Sequence, residues 1–344
     1  MKMLVTGGAG FLGSNLSKRA IENNDYLLVF DNLMRIGSES NLDWLKRYGK
    51  FKFIHGDIRD YNDVEEIIKK FKPDVIFHTA GQVAMTTSLE NPMLDFETNA
   101  VGTLNLLECV RKYSKDSTFI YSSTNKVYGD LSTLHYDETP SRYKCIEYPN
   151  GFPETLPLDL KTPYGISKGA ADSYVLEYSR TYMLKAVVLR HSSLYGERQF
   201  ATVDQGWIGW FIGEALSSKR NKNAKVITIS GNGKQVRDIL YVKDAVDLYF
   251  ELAYDIDKVS GEVFNVGGGV SNSLSILELF GLLEEVLDIN LEIKKNPVRK
   301  DDQKVFISDN TKISRKTGWK ATTEIKDGLV RMINWVSQSE DGLK

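Results

Sequence analysis

The pair Tyr164 and Lys168 is the part of the sequence with the clearest capacity for chemistry. On a helix, positions four residues apart lie on one face, so the ammonium of Lys168 would sit beside the phenol of Tyr164. A neighbouring cation favours the phenolate, and we expect it to lower the pKa of this tyrosine from its ordinary value of about 10. A tyrosine in that state can take the proton of an alcohol. Because such pairs are common on ordinary helices, the interpretation depends on two other segments.

The first of these segments is a glycine-rich turn at residues 7–13, directly after a predicted strand. Its spacing satisfies G-x-G-x-x-G at Gly8, Gly10 and Gly13, and G-x-x-G-x-x-G at Gly7, Gly10 and Gly13. Glycine allows the tight turn and lets the backbone approach a pyrophosphate, which then rests on the N-terminus of the next helix. The turn therefore predicts a dinucleotide site.

The second predicted strand ends in an acid, Asp31, at the distance from the glycines that a dinucleotide site requires. A carboxylate there suits a ribose 2′-hydroxyl and repels a 2′-phosphate, so NAD is favoured over NADP. Arg35 could offset this preference.

The second segment is a hydroxyl cluster, Ser122, Ser123 and Thr124, which ends a predicted buried strand. Ligands of open α/β sheets bind at the carboxyl ends of the strands. A hydroxyl at this place could hydrogen-bond both the reacting alcohol and the tyrosine.

The glycine turn, the hydroxyl cluster and the Tyr-x-x-x-Lys pair, in this order, resemble the extended short-chain dehydrogenase/reductase superfamily and its nucleotide-sugar-modifying branch. The resemblance covers essentially the whole chain. The further motifs that agree with it lie at residues 56–60, 77–81, 99–103, 125–129 and 235–238. The stretches similar to the 2-epimerases of CDP-linked dideoxyhexoses lie at residues 81–88, 122–130, 198–202 and 204–211.

This resemblance implies an NAD-dependent isomerase that oxidises a nucleotide sugar transiently and returns the hydride to the opposite face of the same carbon. Tyr164 and Lys168 would be catalytic, and Thr124 would align the sugar hydroxyl. The choice of C2 and of a CDP handle comes from the resemblance alone. A 4-epimerase of UDP-hexoses and a catalytically silent NAD-binding regulatory protein remain as alternatives, and a net dehydrogenase is a further one.

The resemblance also assigns binding roles. The residues that it places at the cofactor, besides Tyr164 and Lys168, are Gly7, Gly10, Phe11, Leu12, Gly13, Asp31, Asn32, Asp57, Ile58, Ala80, Gln82, Asn99 and Ser122. The residues that it places at the substrate are Thr124, Asn125, Ser193, Gln199, Gln205, Arg237 and Arg299. The two arginines match diphosphate-binding positions, and a guanidinium is a planar fork suited to bidentate phosphate contact.

Two residues separate the chain from the 4,6-dehydratases of the same superfamily. Asn125 and Lys126 stand where those enzymes carry an Asp-Glu pair. Eliminating water needs a general acid and a base at these positions, so a dehydratase is disfavoured.

The alternation of predicted strands and helices indicates an α/β fold with a doubly wound, Rossmann-type parallel sheet and a smaller mixed α/β substrate domain. We expect residues 1–190 to bind NAD and residues 191–344 to bind the nucleotide sugar, with part of 236–266 folding back onto the first domain. Residues 129–162 interrupt the alternation, and we expect them to cover the sugar pocket partially rather than form a disordered insert.

The composition is that of an ordinary enzyme of 344 residues with a net charge of −2. This charge gives no electrostatic case for nucleic acid or anionic membrane. There is neither an apolar run of about 18 residues nor a signal sequence ahead of the first strand, so we expect a cytoplasmic protein. Scattered histidines and the two cysteines, Cys109 and Cys145, indicate neither a metal site nor a disulfide. The family pairs two helices per subunit, here 93–114 and 164–182, so a homodimer or homotetramer is expected.

Overall fold

The computed structural model describes residues 1–202, 204–221, 226–297 and 302–339. The strands are β1 (Lys2–Thr6), β2 (Tyr26–Asp31), β3 (Lys52–His55), β4 (Val75–His78), β5 (Thr118–Thr124), β6 (Tyr136–Glu138), β7 (Tyr143–Cys145), β8 (Lys185–His191), β9 (Ser193–Tyr195), β10 (Ile227–Ser230), β11 (Val236–Tyr241), β12 (Val263–Val266), β13 (Ser273–Ser275), β14 (Ile293–Asn296) and β15 (Val305–Phe306). The α-helices are α1 (Phe11–Glu22), α2 (Ser38–Leu45), α3 (Tyr61–Phe71), α4 (Met85–Glu90), α5 (Pro92–Phe96), α6 (Gly102–Tyr113), α7 (Thr162–Tyr182), α8 (Trp207–Asn221), α9 (Val242–Tyr254), α10 (Ile276–Leu287), α11 (Thr311–Thr317) and α12 (Ile325–Ser339).

The central sheet has seven strands in the order β12-β8-β5-β4-β1-β2-β3, and every neighbouring pair is parallel. The predicted doubly wound fold is therefore confirmed. The direction of winding reverses between β1 and β4, and a crevice at such a switch point is where open α/β sheets bind ligands.

Both faces of this sheet are covered, which explains why its strands contain runs of apolar residues rather than an alternating pattern. In β1, Met3 and Val5 face a core shared with α1 and α9, whereas Leu4 faces a core shared with α3, α6 and α7. This division follows from the two-residue side-chain period of a strand.

The second half of the chain builds smaller sheets. β11 lies at the centre of one of them and pairs with β9, β13 and β15, while β10 pairs with β14. The helices α8, α10 and α12 pack on these strands in a separate apolar cluster. The chain also returns to the first sheet, because β12 pairs with β8 in parallel.

The long helical run predicted over residues 93–114 consists of α5, a π-helical turn at Glu97–Val101 and α6. Single π turns inside α-helices often mark functional positions. Among the described residues, no helix is both long and apolar enough to span a membrane.

Candidate active site

A cavity of about 590 Å³ opens at the carboxyl ends of the central strands. The predicted site residues that line it are Gly7, Gly10, Phe11, Leu12, Asp31, Asn32, Asp57, Ile58, Ala80, Gln82, Ser122, Thr124, Asn125, Tyr164, Ser193, Gln199 and Gln205. The predicted residues outside this lining are Gly13, Asn99, Lys168 and Arg237. Arg299 lies outside the described residues.

The glycine turn brings the backbone close to the neighbouring strand. Gly7 has a φ of 66°, and a Cβ on it would lie 2.7 Å from the Ala80 Cα atom. A Cβ on Gly13 would lie 2.1 Å from the Gly7 carbonyl oxygen, so Gly13 serves to pack α1 against the turn. Gly10 precedes α1 without a side-chain cap, which leaves the first N–H groups of α1 available to an anion beside Phe11 and Leu12.

Asp31 is buried at the wall of the cavity. Its Oδ2 atom accepts a hydrogen bond from the Ala9 N–H at 2.9 Å, and its Oδ1 atom accepts one from the Leu33 N–H at 2.8 Å. Burial raises the pKa of this carboxyl, although the two N–H donors act in the opposite direction. Each oxygen retains capacity for a further donor such as a ribose hydroxyl. Arg35 lines the same cavity, and burial lowers the pKa of its guanidinium.

Asp57 is held by a residue that the sequence analysis did not single out, Arg59. The Arg59 Nη2 atom donates to Asp57 Oδ2 at 2.7 Å, and Asn32 Nδ2 donates to the same oxygen at 3.0 Å. Burial opposes ionisation of Asp57, but the hydrogen bonds from Arg59 and Asn32 outweigh it and lower its pKa to about 2. Asp57 is therefore a fixed anion at the edge of the cavity.

Tyr164 and Lys168 are both buried near the start of α7. The Lys168 Nζ atom donates to the Ser122 carbonyl oxygen at 2.6 Å and lies 4.4 Å from the centroid of the Tyr121 ring. Burial lowers the pKa of Lys168 to about 7, against the attraction of Asp172 and Asp95.

The expectation that Lys168 lowers the pKa of Tyr164 is wrong for this arrangement. Burial raises the pKa of Tyr164 to about 12, a hydrogen bond with Thr124 opposes the rise, and Asp95 adds to it. The ammonium is directed at the end of β5 instead, and desolvation, which sequence spacing does not reveal, dominates.

Thr124 is the last residue of β5 and is buried beside the phenol. It accepts a hydrogen bond from the Lys126 N–H at 3.3 Å and so caps the short 3₁₀ turn that follows. Asn125 in this turn donates from Nδ2 to the Gln303 Oε1 atom at 3.2 Å, and Gln303 in turn donates to the Gly129 carbonyl at 2.7 Å. Gln303 was missed from the sequence because it lies far from Asn125 along the chain.

Asn99 lies outside the cavity lining and supports the lining residue Gln82 from behind. Its Oδ1 accepts from the Gln82 N–H at 3.0 Å, and its Nδ2 donates to the Gln82 carbonyl at 3.0 Å. The buried Asp95 accepts from Gln82 Nε2 at 3.0 Å and from the Ser167 hydroxyl. Asn99 and Asp95 thus fix the Gln82 segment, and Asp95 and Ser167 were not found from the sequence.

The substrate side of the cavity contains amides with spare hydrogen-bonding capacity. The Oε1 atoms of Gln199 and Gln205 are buried and have no hydrogen-bond partner among the residues that the structure describes. Trp207 donates from Nε1 to the Ser193 hydroxyl at 3.2 Å. Because buried polar atoms in native proteins normally find partners, the two amide oxygens fit a polyhydroxylated ligand.

Arg237 stands apart from the cavity lining. Its Nη2 atom donates to Asp302 Oδ1 at 2.7 Å and its Nη1 atom to the Val236 carbonyl at 2.7 Å. Asp302 also lies 3.6 Å from Lys126 Nζ, and Lys126 does line the cavity. The predicted phosphate ligand is therefore ion-paired beside the cavity.

Residues 129–162 contribute nothing to the lining, so the prediction that they cover the pocket is wrong for this cavity. They form the antiparallel hairpin β6–β7 and place Phe152 in a stack on Phe306, with ring centroids 5.3 Å apart. The aromatic residues of this segment explain the outcome, because they pack in an apolar cluster with β15. Residues 129–162 are therefore an ordered segment that packs against β15, rather than a disordered insert.

A buried polar network lies beneath the Tyr–Lys pair. Arg190 donates from Nε and Nη2 to the two oxygens of Asp172 at 2.9 Å each, and Ser123 donates to Asp172 Oδ2 at 2.8 Å. The Arg190 Nη1 atom also donates to the Tyr128 hydroxyl at 2.9 Å. These bonds tie α7 to the ends of β5 and β8, where the site is formed.

A doubly wound sheet with its glycine turn and its Tyr–Lys pair around one crevice defines the class of extended short-chain dehydrogenases/reductases. A family model described as GDP-mannose 4,6 dehydratase matches residues 4–332. The chain belongs to this family of nucleotide-sugar-modifying enzymes.

Three known proteins are similar to the chain over nearly its full length. CDP-paratose 2-epimerase of Salmonella typhi is 54% identical over 337 residues, which are 98% of this chain and 99% of the relative. The crystal structure of UDP-glucose 4-epimerase with UDP-glucose from Thermotoga maritima has a TM-score of 0.83 at 32% identity and covers 99% of this chain and 100% of its own. UDP-glucose 4-epimerase of Thermus thermophilus in complex with NAD has a TM-score of 0.80 at 26% identity, covering 98% and 99%.

Proposed function

We propose that the protein is an NAD-dependent nucleotide-sugar epimerase that converts CDP-paratose to CDP-tyvelose by inverting C2. The observation that carries this proposal is the 54% identity, over 98% of the chain, to CDP-paratose 2-epimerase of Salmonella typhi. The geometry around Tyr164 and Thr124 supplies the proton chemistry that such a reaction needs.

The cavity fits NAD. The free N–H groups at the start of α1 would hold the pyrophosphate, and Asp31 would accept hydrogen bonds from a ribose. Lys168 of α7, whose ammonium donates to the Ser122 carbonyl of β5, would hold the ribose next to the nicotinamide ring. When bound, NAD supplies a hydride acceptor, then a hydride donor, and a positive ring charge that favours the phenolate of Tyr164.

Tyr164 acts as the base in this proposal. As the phenolate, Tyr164 would take the proton of the sugar hydroxyl while the carbon that bears this hydroxyl gives up its hydride, so that the alcohol becomes a ketone and the tyrosine a neutral phenol. Thr124, which is hydrogen-bonded to the phenol, holds that hydroxyl in line. Tyr164 then returns the proton to the carbonyl oxygen, and the hydride returns to the other face of the carbonyl carbon. The alcohol is restored with inverted configuration and no net redox change.

The substrate must turn between the two hydride transfers while the enzyme keeps hold of it. Arg237 and Arg299 would anchor the diphosphate, while Asn125, Ser193, Gln199 and Gln205 would exchange hydrogen bonds with the sugar. The unpaired amide oxygens of Gln199 and Gln205 support this role, because such acceptors can serve either orientation of a sugar.

A second candidate is a UDP-hexose 4-epimerase with the same residues and a different sugar pose. The observation in its favour is the TM-score of 0.83 to the Thermotoga maritima UDP-glucose 4-epimerase. Dehydration is disfavoured, since Asn125 and Lys126 offer no carboxyl pair.

The test is to incubate the purified protein with CDP-paratose and catalytic NAD⁺ and to follow the sugar by proton NMR. The proposal predicts a new spin system with inverted coupling at C2 and no accumulated NADH. Turnover of a UDP-hexose at C4 without turnover of CDP-paratose would establish the second candidate. Inertness toward both would leave a silent NAD-binding protein.

Four finer points are proposals that rest on the family resemblance. We propose that residues 1–190 bind the cofactor and residues 191–344 bind the nucleotide sugar. We propose that the protein is a homodimer or homotetramer built through residues 93–114 and 164–182. We propose a cytoplasmic location and a role in lipopolysaccharide O-antigen biosynthesis.

A further inference from the structure

A second cavity, of about 950 Å³, has no part in the proposed reaction. It is lined by residues of α1, α2, α9 and α12 and by the segment 197–200. This size lies within the range of sites for small molecules, which is about 300–1,000 Å³.

The second cavity is rich in cations. The basic residues that line it are Lys18, Arg19, Arg47, Arg198, Lys243 and Arg331. Some of these charges are satisfied, because Lys18 pairs with Glu22, and Arg19 and Lys243 share Asp247.

Among the described residues, three guanidinium groups of the second cavity have no carboxylate within salt-bridge distance. Within the described part of the chain, Arg47, Arg198 and Arg331 form no salt bridge, and the lining residue Glu197 is engaged as the acceptor of the Tyr241 hydroxyl. Guanidinium groups of this kind suit phosphate oxygens, which they bind in a bidentate fork.

Aromatic rings surround the central arginine of the second cavity. The Arg198 guanidinium carbon lies 5.0 Å from the ring centroid of Trp44, 5.3 Å from that of Phe200 and 5.9 Å from that of Trp335. Arg198 also has a φ of 72°, a conformation that non-glycine residues rarely adopt and that tends to occur at ligand clamps. Planar rings beside cations suit a heterocyclic base as well as a phosphate.

We propose that the second cavity binds a phosphorylated nucleoside, separately from the catalytic cavity. Arg47 and Arg331 take the phosphate groups, and the rings of Trp44 and Trp335 take the base. Arg47 and Arg331 are both exposed, and the Arg331 guanidinium carbon lies 5.6 Å from the ring centroid of Tyr241, which lines the same cavity.

Arg198 links the second cavity to the cofactor side of the catalytic cavity, since it lines both. Its Nε atom donates to Asn41 Oδ1 at 2.7 Å, and Asn41 Nδ2 donates to the Ala9 carbonyl at 3.0 Å. The Ala9 N–H in turn donates to Asp31. A ligand that displaces the Arg198 side chain therefore shifts the Asp31 carboxylate, which is proposed to hold the NAD ribose. The affinity for NAD changes in response.

The binding experiment compares stoichiometries by titrating CDP into the NAD-saturated protein in a calorimeter. The wild type is expected to bind one more equivalent of CDP per chain than the double variant Arg47→Ala/Arg331→Ala. Arg315→Ala, which removes an exposed arginine of α11, is the matched control and should keep the wild-type number. Equal stoichiometry in the wild type and the double variant would overturn the site. The second cavity predicts this difference of one equivalent whether or not the catalytic cavity also binds CDP. A protein that lacked the proposed epimerase activity would therefore still show the difference.

The linkage is tested by the dissociation constant of NAD measured with and without saturating CDP. Saturating CDP should change the dissociation constant of NAD about fivefold more in the wild type than in the double variant. This factor is within the usual range of coupling between sites. An identical change in both proteins would overturn the linkage through Arg198.

Discussion

At the scale of single residues, burial governs the two groups proposed for proton chemistry. Both Tyr164 and Lys168 are almost fully enclosed, and enclosure disfavours the charged form of each. The pKa of Tyr164 is therefore raised to about 12 and that of Lys168 lowered to about 7. The proton-accepting form of Tyr164 is thus favoured only when further positive charge lies beside it, which ties the start of the reaction to cofactor binding.

Replacing Tyr164 by Phe removes the base and leaves the other residues proposed for the cofactor in place. We expect kcat to fall by a factor of about 10²–10⁴, the usual contribution of a positioned acid–base group. The dissociation constant of NAD should stay within about twofold, measured by fluorescence titration. Tyr254→Phe, at an exposed tyrosine of α9, is the control and should keep full activity. Strong residual turnover in Tyr164→Phe would contradict the assignment.

The lowered pKa of Lys168 also predicts how stability depends on pH. The unfolded chain keeps the lysine protonated up to its ordinary pKa of 10.5, whereas the folded protein loses this proton from about pH 7. Between these values the unfolded state binds more protons, so the contribution of Lys168 makes the folded state more stable as the pH rises.

Denaturant unfolding at pH 7 and pH 9.5 measures this effect. Between the two pH values the wild type should gain about 2–3 kcal/mol of unfolding free energy relative to Lys168→Met, in which the titrating group is absent. Equal changes in unfolding free energy in the wild type and in Lys168→Met would contradict this prediction, because they would show that the buried Lys168 keeps its proton up to pH 9.5.

At the scale of elements, sequence patterns predicted the structures that depend on neighbouring residues. They missed the contacts between residues that are distant in the sequence. The glycine turn and the strands β1, β2 and β5 follow from local composition and period, and the structure has them where they were expected. The position of Asn99 behind Gln82 depends on how α5 and the π turn pack on α7, which no local pattern encodes. The same holds for Gln303 on Asn125, two residues joined only by the tertiary fold.

The close approach of α1 to the glycine turn gives a test at this scale. A methyl group on Gly13 would meet the Gly7 carbonyl oxygen at 2.1 Å, so Gly13→Ala must displace either the helix or the turn. We expect a loss of about 1–3 kcal/mol in unfolding free energy, as for other overpacked sites, together with weaker NAD binding.

Gly281→Ala is the matched control for this substitution. Gly281 lies inside α10, and apart from its own helix no described atom lies within 4 Å of the added methyl group, so alanine should stabilise the protein by about 0.5–1 kcal/mol. Thermal unfolding of the two variants should therefore shift in opposite directions. A neutral Gly13→Ala would mean that the turn is looser than the structure shows.

At the scale of the whole molecule, the two halves of the chain share one site because long-range bonds hold them together. β12 from the second half completes the central sheet beside β8, and Gln303 reaches back to the turn after β5. Arg142 is ion-paired with Glu278 at the start of α10, which fixes the hairpin of β6 and β7 to the second half. The fold class was predictable from the alternation of strands and helices, whereas these cross-links were not.

Gln303 tests whether the second half positions the substrate. Gln303→Met keeps the side-chain volume and removes the hydrogen bonds to Asn125 and Gly129. We expect the KM for the nucleotide sugar to rise about tenfold, equivalent to about 1.4 kcal/mol, with kcat changed by less than about threefold. An equal loss of NAD affinity, measured alongside, would indicate general damage to the fold instead.

The central claim is that one carbon gives up a hydride and receives the same hydride on its other face. The most direct measurement uses CDP-paratose carrying deuterium at C2, incubated in ordinary water and analysed by NMR and mass spectrometry. The account predicts CDP-tyvelose with the deuterium retained at C2. Loss of the deuterium to solvent would contradict it, because it would mean that the carbon is inverted by removal and return of a proton.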